Sequence, residues 1–297
     1  MNGPYVTPLD RQQVFSKNLA LLLEEETSLV QEKQLLLRDY FESHISPRIS
    51  FSAAAARLLE AYWDKRKSEG QRNRKNITRE KLLLATLLAE HYSPDDFSNT
   101  EEEFKPLPKE ARIAYWGANR HSAVALERFS QLFEKTNPTL AQSFSDVCEM
   151  VGDMESDFGV VPIENSFDGR LGSFYRMLDK NELKIIAVCN IEDDAGESST
   201  RFALVSSSVC QWENDYTQWI ELSASSFESS RILELISVAE ILKMPVKRLS
   251  SVPLYYRGNV CVDTITLAIP KDAKLIFFIY LYLFGKDINL LGLFIQI

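Results

Sequence analysis

The spacing of hydrophobic and polar positions changes character along the chain, and each change predicts a different kind of structure. From Leu9 to His44, Val14, Leu19, Leu22, Leu23, Leu29, Val30, Leu35, Leu36 and Leu37 recur at helical spacing. That predicts one long helix or two with a small break, ended by Pro47. The Ala53–Ala56 run and the stripe Leu58, Leu59, Tyr62, Trp63 predict a second helix from about Ser52 to Lys67. A third, through Leu82, Leu83, Leu84, Leu87 and Leu88, runs from about Thr78 to His91 and stops at Ser93-Pro94. Residues 1–100 thus read as a helical module. Residues 101–110, with Glu101-Glu102-Glu103, Pro106 and Pro108, have the composition of a linker. The basic stretch Lys65–Lys75 between the second and third helices reads as a solvated connection.

Beyond the linker, strand-length apolar runs alternate with helical patterns. Arg112–Trp116 predicts a strand ending at Gly117, Ala123–Phe133 a helix, Phe144–Met154 another, and Phe158–Ile163 a buried strand. Gly169–Leu178 follows as a helix, Leu183–Val188 and Arg201–Val205 as strands. Residues 111–208 therefore read as one α/β lobe of the doubly wound kind. Over residues 216–297 the order is strand (Trp219–Ala224), helix (Ser229–Lys243), two strands (Val246–Val252, Val260–Ile269), helix (Asp272–Phe284), strand (Ile288–Ile297). That is the ferredoxin-like order of an α+β domain. The dense apolar run Leu275–Phe284 is cut by Gly285-Lys286-Asp287 short of membrane-spanning length, so it reads as a buried helix.

The chemistry-bearing stretch lies where Phe158–Ile163 gives way to Glu164-Asn165-Ser166. Ligands of open α/β sheets sit beyond the carboxyl ends of strands, which puts these three residues where a substrate would be met. Asn165 or Ser166 as a simple cap of the next helix is the competing reading. The loop Gly117–Ser122 offers a second strand end, where backbone N–H groups and the Ser122 hydroxyl would suit a carboxylate.

Composition narrows the choice. The chain has 297 residues, 45% of them hydrophobic, enough for two or three cores. A net charge of −9 argues against nucleic acid or an anionic membrane as the main partner. The four cysteines match no metal-ligand spacing, Met1–Arg11 does not read as a targeting segment, and a reducing, cytoplasmic setting is expected. Nothing in the pattern asks for a metal or a cofactor.

The segment Gly159–Ser166, Gly-Val-Val-Pro-Ile-Glu-Asn-Ser, followed by Gly169, resembles a signature of the prephenate dehydratase family, and Ser199-Thr200-Arg201-Phe202 resembles a second. Phe144-Ser145-Asp146-Val147 is similar to a structural element of the same enzymes, and Gly117 and Ser122 match the ends of their Gly-Pro-x-Gly-Thr-x-Ser turn. The resemblance implies a periplasmic-binding-like lobe and the conversion of prephenate to phenylpyruvate in phenylalanine biosynthesis. It assigns Thr200 as the hydrogen donor to the leaving oxygen. Asn165, Ser166, Glu164, Arg201, Phe202 and Ser122 would bind or surround the substrate. The family's second lobe, entered after the strand at Ala187, looks deleted, because the second signature follows almost at once. The helical module resembles in position the mutase that precedes the dehydratase in bifunctional relatives. Residues 216–297 resemble the ACT domain, which binds phenylalanine between paired copies and implies a homo-oligomer through the ACT-like and helical modules. Where the family carries Glu-Ser-Arg-Pro, this chain has Ser250-Ser251-Val252-Pro253. A non-catalytic homologue keeping only the first lobe, or a small-molecule sensor, is the alternative.

Overall fold

The computed structural model describes residues 50–69, 77–93, 105–167, 169–192, 198–212, 217–225, 229–254 and 260–297. The helix expected over Leu9–His44 and residues 101–104 of the expected linker lie outside these residues; of the rest of that linker, Lys105–Pro106 forms a short strand and Glu110 opens the next. Contacts divide the chain into residues 1–60 and 61–297. Of the first unit, the described part is the start of α1 (Phe51–Glu69), opened by a bond from Ala54 N to Ser50 O at 3.0 Å.

The second unit is organised by one large mixed sheet. Its strands are β2 (Glu110–Trp116), β3 (Lys135–Ala141), β4 (Phe158–Asn165), β5 (Gly169–Arg170), β6 (Lys184–Glu192), β7 (Ser199–Ser206), β9 (Gln218–Ser225), β10 (Val246–Leu254), β11 (Val260–Ile269) and β12 (Ile288–Gln296). They lie in the order β10-β11-β9-β12-β6-β7-β4-β2-β3, with β5 beside β4. Two short strands, β1 (Lys105–Pro106) and β8 (Cys210–Gln211), pair in parallel apart from it. The helices of this unit are α2 (Ile77–His91), α3 (Arg120–Ser130), α4 (Phe144–Gly152), α5 (Gly172–Lys180), α6 (Ser229–Ile241) and α7 (Lys271–Phe284).

The expected α/β alternation is present with two strands more than the pattern showed, β3 and the short β5, which takes the first residues of the helix expected over Gly169–Leu178. β3, Lys-Thr-Asn-Pro-Thr-Leu-Ala, is mostly polar and carries Pro138, which suits its place as the outermost strand, where a missing N–H breaks no ladder. β2 runs parallel to β3 and β4, whereas β7 is antiparallel to both β4 and β6. Residues 193–198 alone separate β6 from β7, so no lobe intervenes there. One apolar cluster, with Ile113, Phe129, Phe158, Val160 and Leu204, packs the sheet against α3. A second, with Val147, Val151, Val161, Phe174, Leu178 and Ile185, packs the other face against α4 and α5.

The last four strands lie as β12-β9-β11-β10, fourth, first, third, second in their own chain order, which is the ferredoxin-like arrangement expected from residues 216–297. They do not form a separate sheet. β12 pairs in parallel with β6, with Gly292 beside Ile185. A Cβ on Gly292 would stand 2.3 Å from the Ile185 carbonyl oxygen and 2.7 Å from its nitrogen, both backbone atoms. Only glycine lets the two strands approach, and the register shifts on both sides of β12 start at this residue. Beyond the seam, Val252 of β10 and Phe294 of β12 join the α4–α5 cluster, and the buried Glu221 carboxylate of β9 accepts a 2.6 Å hydrogen bond from Tyr175 of α5.

The helices α6 and α7 receive α2. Lys81 of α2, buried to 5% exposure, donates to Glu234 of α6, which also accepts from Tyr280 Oη of α7 at 2.7 Å. Burial opposes ionisation of Glu234, but the bonds from Lys81 and Tyr280 and the charges of Lys81 and Arg231 outweigh it, so its carboxyl titrates below the usual range.

Two stability tests follow from this packing. Gly292→Ala should lower stability by about 2–3 kcal/mol, seen as a fall in the urea midpoint at unchanged slope. Glu234→Gln should cost about 3 kcal/mol at neutral pH, because it strands a buried ammonium. Since the folded-state value of Glu234 is depressed, its stabilisation is complete above the unfolded carboxyl value and fades as pH falls through the folded one. The gap between wild type and variant should therefore narrow on acidification below about pH 4.3.

Candidate functional site

The end of β4 is shaped by a bulge. Pro162 pairs with Phe202 and Glu164 with Arg201, which leaves Ile163 as the extra residue. A regular ladder would set Glu164 opposite Thr200; the bulge sets it opposite Arg201, and Asn165 opposite Thr200. The Asp157 carboxylate fixes the other end of β4, accepting from Arg112 N at 2.9 Å and Arg112 Nη2 at 2.7 Å. Those bonds hold its pKa below the usual carboxylate value.

Beyond Asn165 the chain is tied down locally. Asn165 Oδ1 accepts from Phe167 N at 2.9 Å, Ser166 N donates to Ser199 O at 2.9 Å, and Ser199 N donates to Ser166 Oγ at 3.2 Å. Helix α5 starts only at Gly172, with Leu171 before it and no side-chain cap. Neither Asn165 nor Ser166 caps it, which removes the simple capping reading of this stretch.

These residues form one wall of a cleft of about 380 Å³ lined by Glu164, Asn165, Ser166, Asn190, Ser199, Arg201, Lys247, Arg248 and Gln296. The lining is polar throughout, and Ser166, Asn190, Lys247 and Gln296 are exposed, so solvent enters. The opposite wall, Lys247, Arg248 and Gln296, comes from β10 and β12. Arg248 spans the cleft to Glu164, giving one guanidinium N–H to each carboxylate oxygen. This bidentate pair raises the Arg248 pKa and makes the cleft a fixed feature rather than a gap. Lys247 Nζ lies 4.2 Å from the centroid of the Trp219 ring and donates to Gln296 Oε1 at 2.8 Å.

The expected site residues are divided by this geometry. Glu164, Asn165, Ser166 and Arg201 line the cleft. Thr200 is half-buried between two lining residues, but strand alternation turns it to the face opposite Ser199 and Arg201. Phe202 is buried at 1% exposure, its ring tilted against Phe144. Ser122 is wholly buried in the first turn of α3; its N–H bonds to the capping Asn119 side chain at 2.9 Å, and its hydroxyl has no partner among the described residues. Lys247, Arg248 and Gln296 went unread because nothing local connects them to Glu164, which precedes Arg248 by 84 positions. The adjacent cations Lys247-Arg248 within a strand were the only local signal.

Residues 113–192 match the family model described as prephenate dehydratase. The central segment is prephenate dehydratase-like. Its match spans β2 to β6 and includes Glu164, Asn165 and Ser166, while Thr200-Arg201-Phe202 follows it. Among solved structures, the chain is similar to prephenate dehydratase from Streptococcus mutans, at 19% identity and a TM-score of 0.49, over 62% of this chain and 98% of that one. It is also similar to prephenate dehydratase from Arthrobacter aurescens in complex with L-Phe, at 15% identity and 0.48, over 62% and 90%. A third similar structure is GqqA, a quorum-quenching acylase, at 17% identity and 0.45, over 62% and 94%. No curated protein matches. Among the described residues no helix is long and apolar enough to cross a membrane.

The cysteines around the dehydratase-like segment offer no nucleophile. Burial, the largest influence, pushes the Cys148 and Cys189 thiols up to about 12 and Cys210 to about 11. Alkylation with iodoacetamide at pH 8, read by mass spectrometry, should leave these three unmodified in the folded protein and modify all four after denaturation.

Proposed function

We propose that the chain is a prephenate dehydratase homologue that converts prephenate to phenylpyruvate at this cleft, losing carbon dioxide and the ring hydroxyl as the ring becomes aromatic. The single observation that supports this reading is the convergence of Glu164, Asn165, Ser166 and Arg201, drawn from both family signatures, on one polar cleft with a second wall. A dehydratase has to hold two carboxylates and hand a proton or hydrogen bond to the departing oxygen. Arg201 supplies positive charge for a carboxylate, and Asn165 and Ser166 supply short polar contacts that orient the ring. The resemblance assigns the hydrogen donor to Thr200, which stands between the lining residues Ser199 and Arg201 with its side chain on the other face of β7, so the donor role requires Thr200 to reach the cleft when substrate binds. A neutral hydroxyl is a weak acid in water, so the donor depends on the wall across the cleft to limit hydration of the leaving group. In the family that wall belongs to a second lobe; here β10 and β12 stand in its place.

A second reading, a binding module without turnover, is favoured by one observation: Thr200 is not among the cleft-lining residues. The two readings part on a direct assay. Purified protein should form phenylpyruvate from prephenate, and Thr200→Ala should lose about a hundredfold or more in kcat. Equal background rates in both proteins would sink the enzyme and leave the binding module.

A further inference from the structure

The two cationic strand ends of the cleft are not treated alike by the fold. Arg248 is matched by Glu164. Lys247, its neighbour in β10, has no carboxylate partner among the described residues; its contacts are the neutral Gln296 amide and the Trp219 ring. The ammonium is thus held in a defined place by a cation–π contact and one hydrogen bond, with Arg201 on the facing wall. Partial burial, then the charges of Arg201 and Arg248, make it easier to deprotonate than an ordinary lysine. An exposed ammonium with no carboxylate partner among the described residues, facing the Arg201 guanidinium, is a place where an added anion gains charge-assisted hydrogen bonds.

We propose that Lys247, set by Trp219 and Gln296 and facing Arg201, is the anchor for a carboxylate of the ligand, which makes the C-terminal module part of the binding site. This rests on the reading of the cleft as a substrate site but adds a residue outside both family signatures and outside the matched segment. The ligand class is a small dicarboxylate: one carboxylate on Lys247 and Arg201, the remainder towards Asn165 and Ser166. The cleft volume suits a molecule of that size.

Trp219 makes the test optical. Malonate, which cannot be turned over, and prephenate should each alter Trp219 emission in the full chain, and the change should be absent in Trp219→Phe, whose remaining tryptophans serve as the background. Lys247→Gln, at an exposed position that keeps the fold, should weaken malonate binding about tenfold and raise KM for prephenate with little change in kcat. Wild-type affinity should fall as pH rises at a lower pH than an ordinary lysine would give, and this dependence should vanish in Lys247→Gln. Malonate binding that depends on Lys247 without prephenate turnover supports the anchor and removes the dehydratase. Turnover with KM unchanged in Lys247→Gln, or malonate bound equally by both proteins, overturns the anchor and leaves the dehydratase standing. No binding and no turnover overturns both.

Discussion

The parallel pairing of β12 with β6 is the constraint on which the second unit depends. Without it the chain would hold two unrelated sheets, each with a raw edge of unpaired N–H and C=O groups at this point. With it the ferredoxin-like strands continue the sheet of the dehydratase-like segment, and each edge is satisfied by the other. The pairing is possible because one residue of β12 has no side chain: Gly292 lies against the Ile185 backbone at a distance no Cβ tolerates. The α5 face then receives β10, and the hydrogen bond from Tyr175 to the buried Glu221 carboxylate fixes how the two modules meet.

That junction places charges as well as strands. Three cations, Arg201, Lys247 and Arg248, and one anion, Glu164, face each other across a space wet enough to screen them only in part. The Glu164–Arg248 pair spans the cleft and joins its walls, while Lys247 is braced by an aromatic ring rather than a carboxylate. Neutral bracing leaves its charge available. Across from the dehydratase-like segment, whose wall carries both Glu164 and Arg201, stands a cationic wall that β10 and β12 of the same chain supply.

The extent to which this was legible in the sequence follows from how local each feature is. The ferredoxin-like elements were readable because their apolar periods are strong and their breaks are marked by polar residues such as Lys286-Asp287. The strand Lys135–Ala141 was not, because at a sheet edge polar residues and Pro138 cost nothing and the alternation that betrays a strand is absent. Glu164, Asn165 and Ser166 were readable as polar residues ending a buried run, and Arg201 through the resemblance of Ser199-Thr200-Arg201-Phe202 to a family signature. The pairing of Glu164 with Arg201 and of Asn165 with Thr200 was not, since it follows from the bulge at Ile163. Gly292 went unread, since a single glycine in an apolar run does not say which strand approaches it.

The two walls of the cleft come from separated stretches of the second unit, one complete at Arg201 and the other only at Gln296. During synthesis the first wall leaves the ribosome roughly a hundred residues before the last strand can dock. Until then β6 offers an open edge, and the cleft does not exist. Long-range strand pairing of this kind is slow to form, so the nascent chain passes through a period in which it is folded in part, unable to hold a ligand and exposed to association with its own copies. Ligand binding at the cleft therefore becomes possible only once β12 has docked on β6.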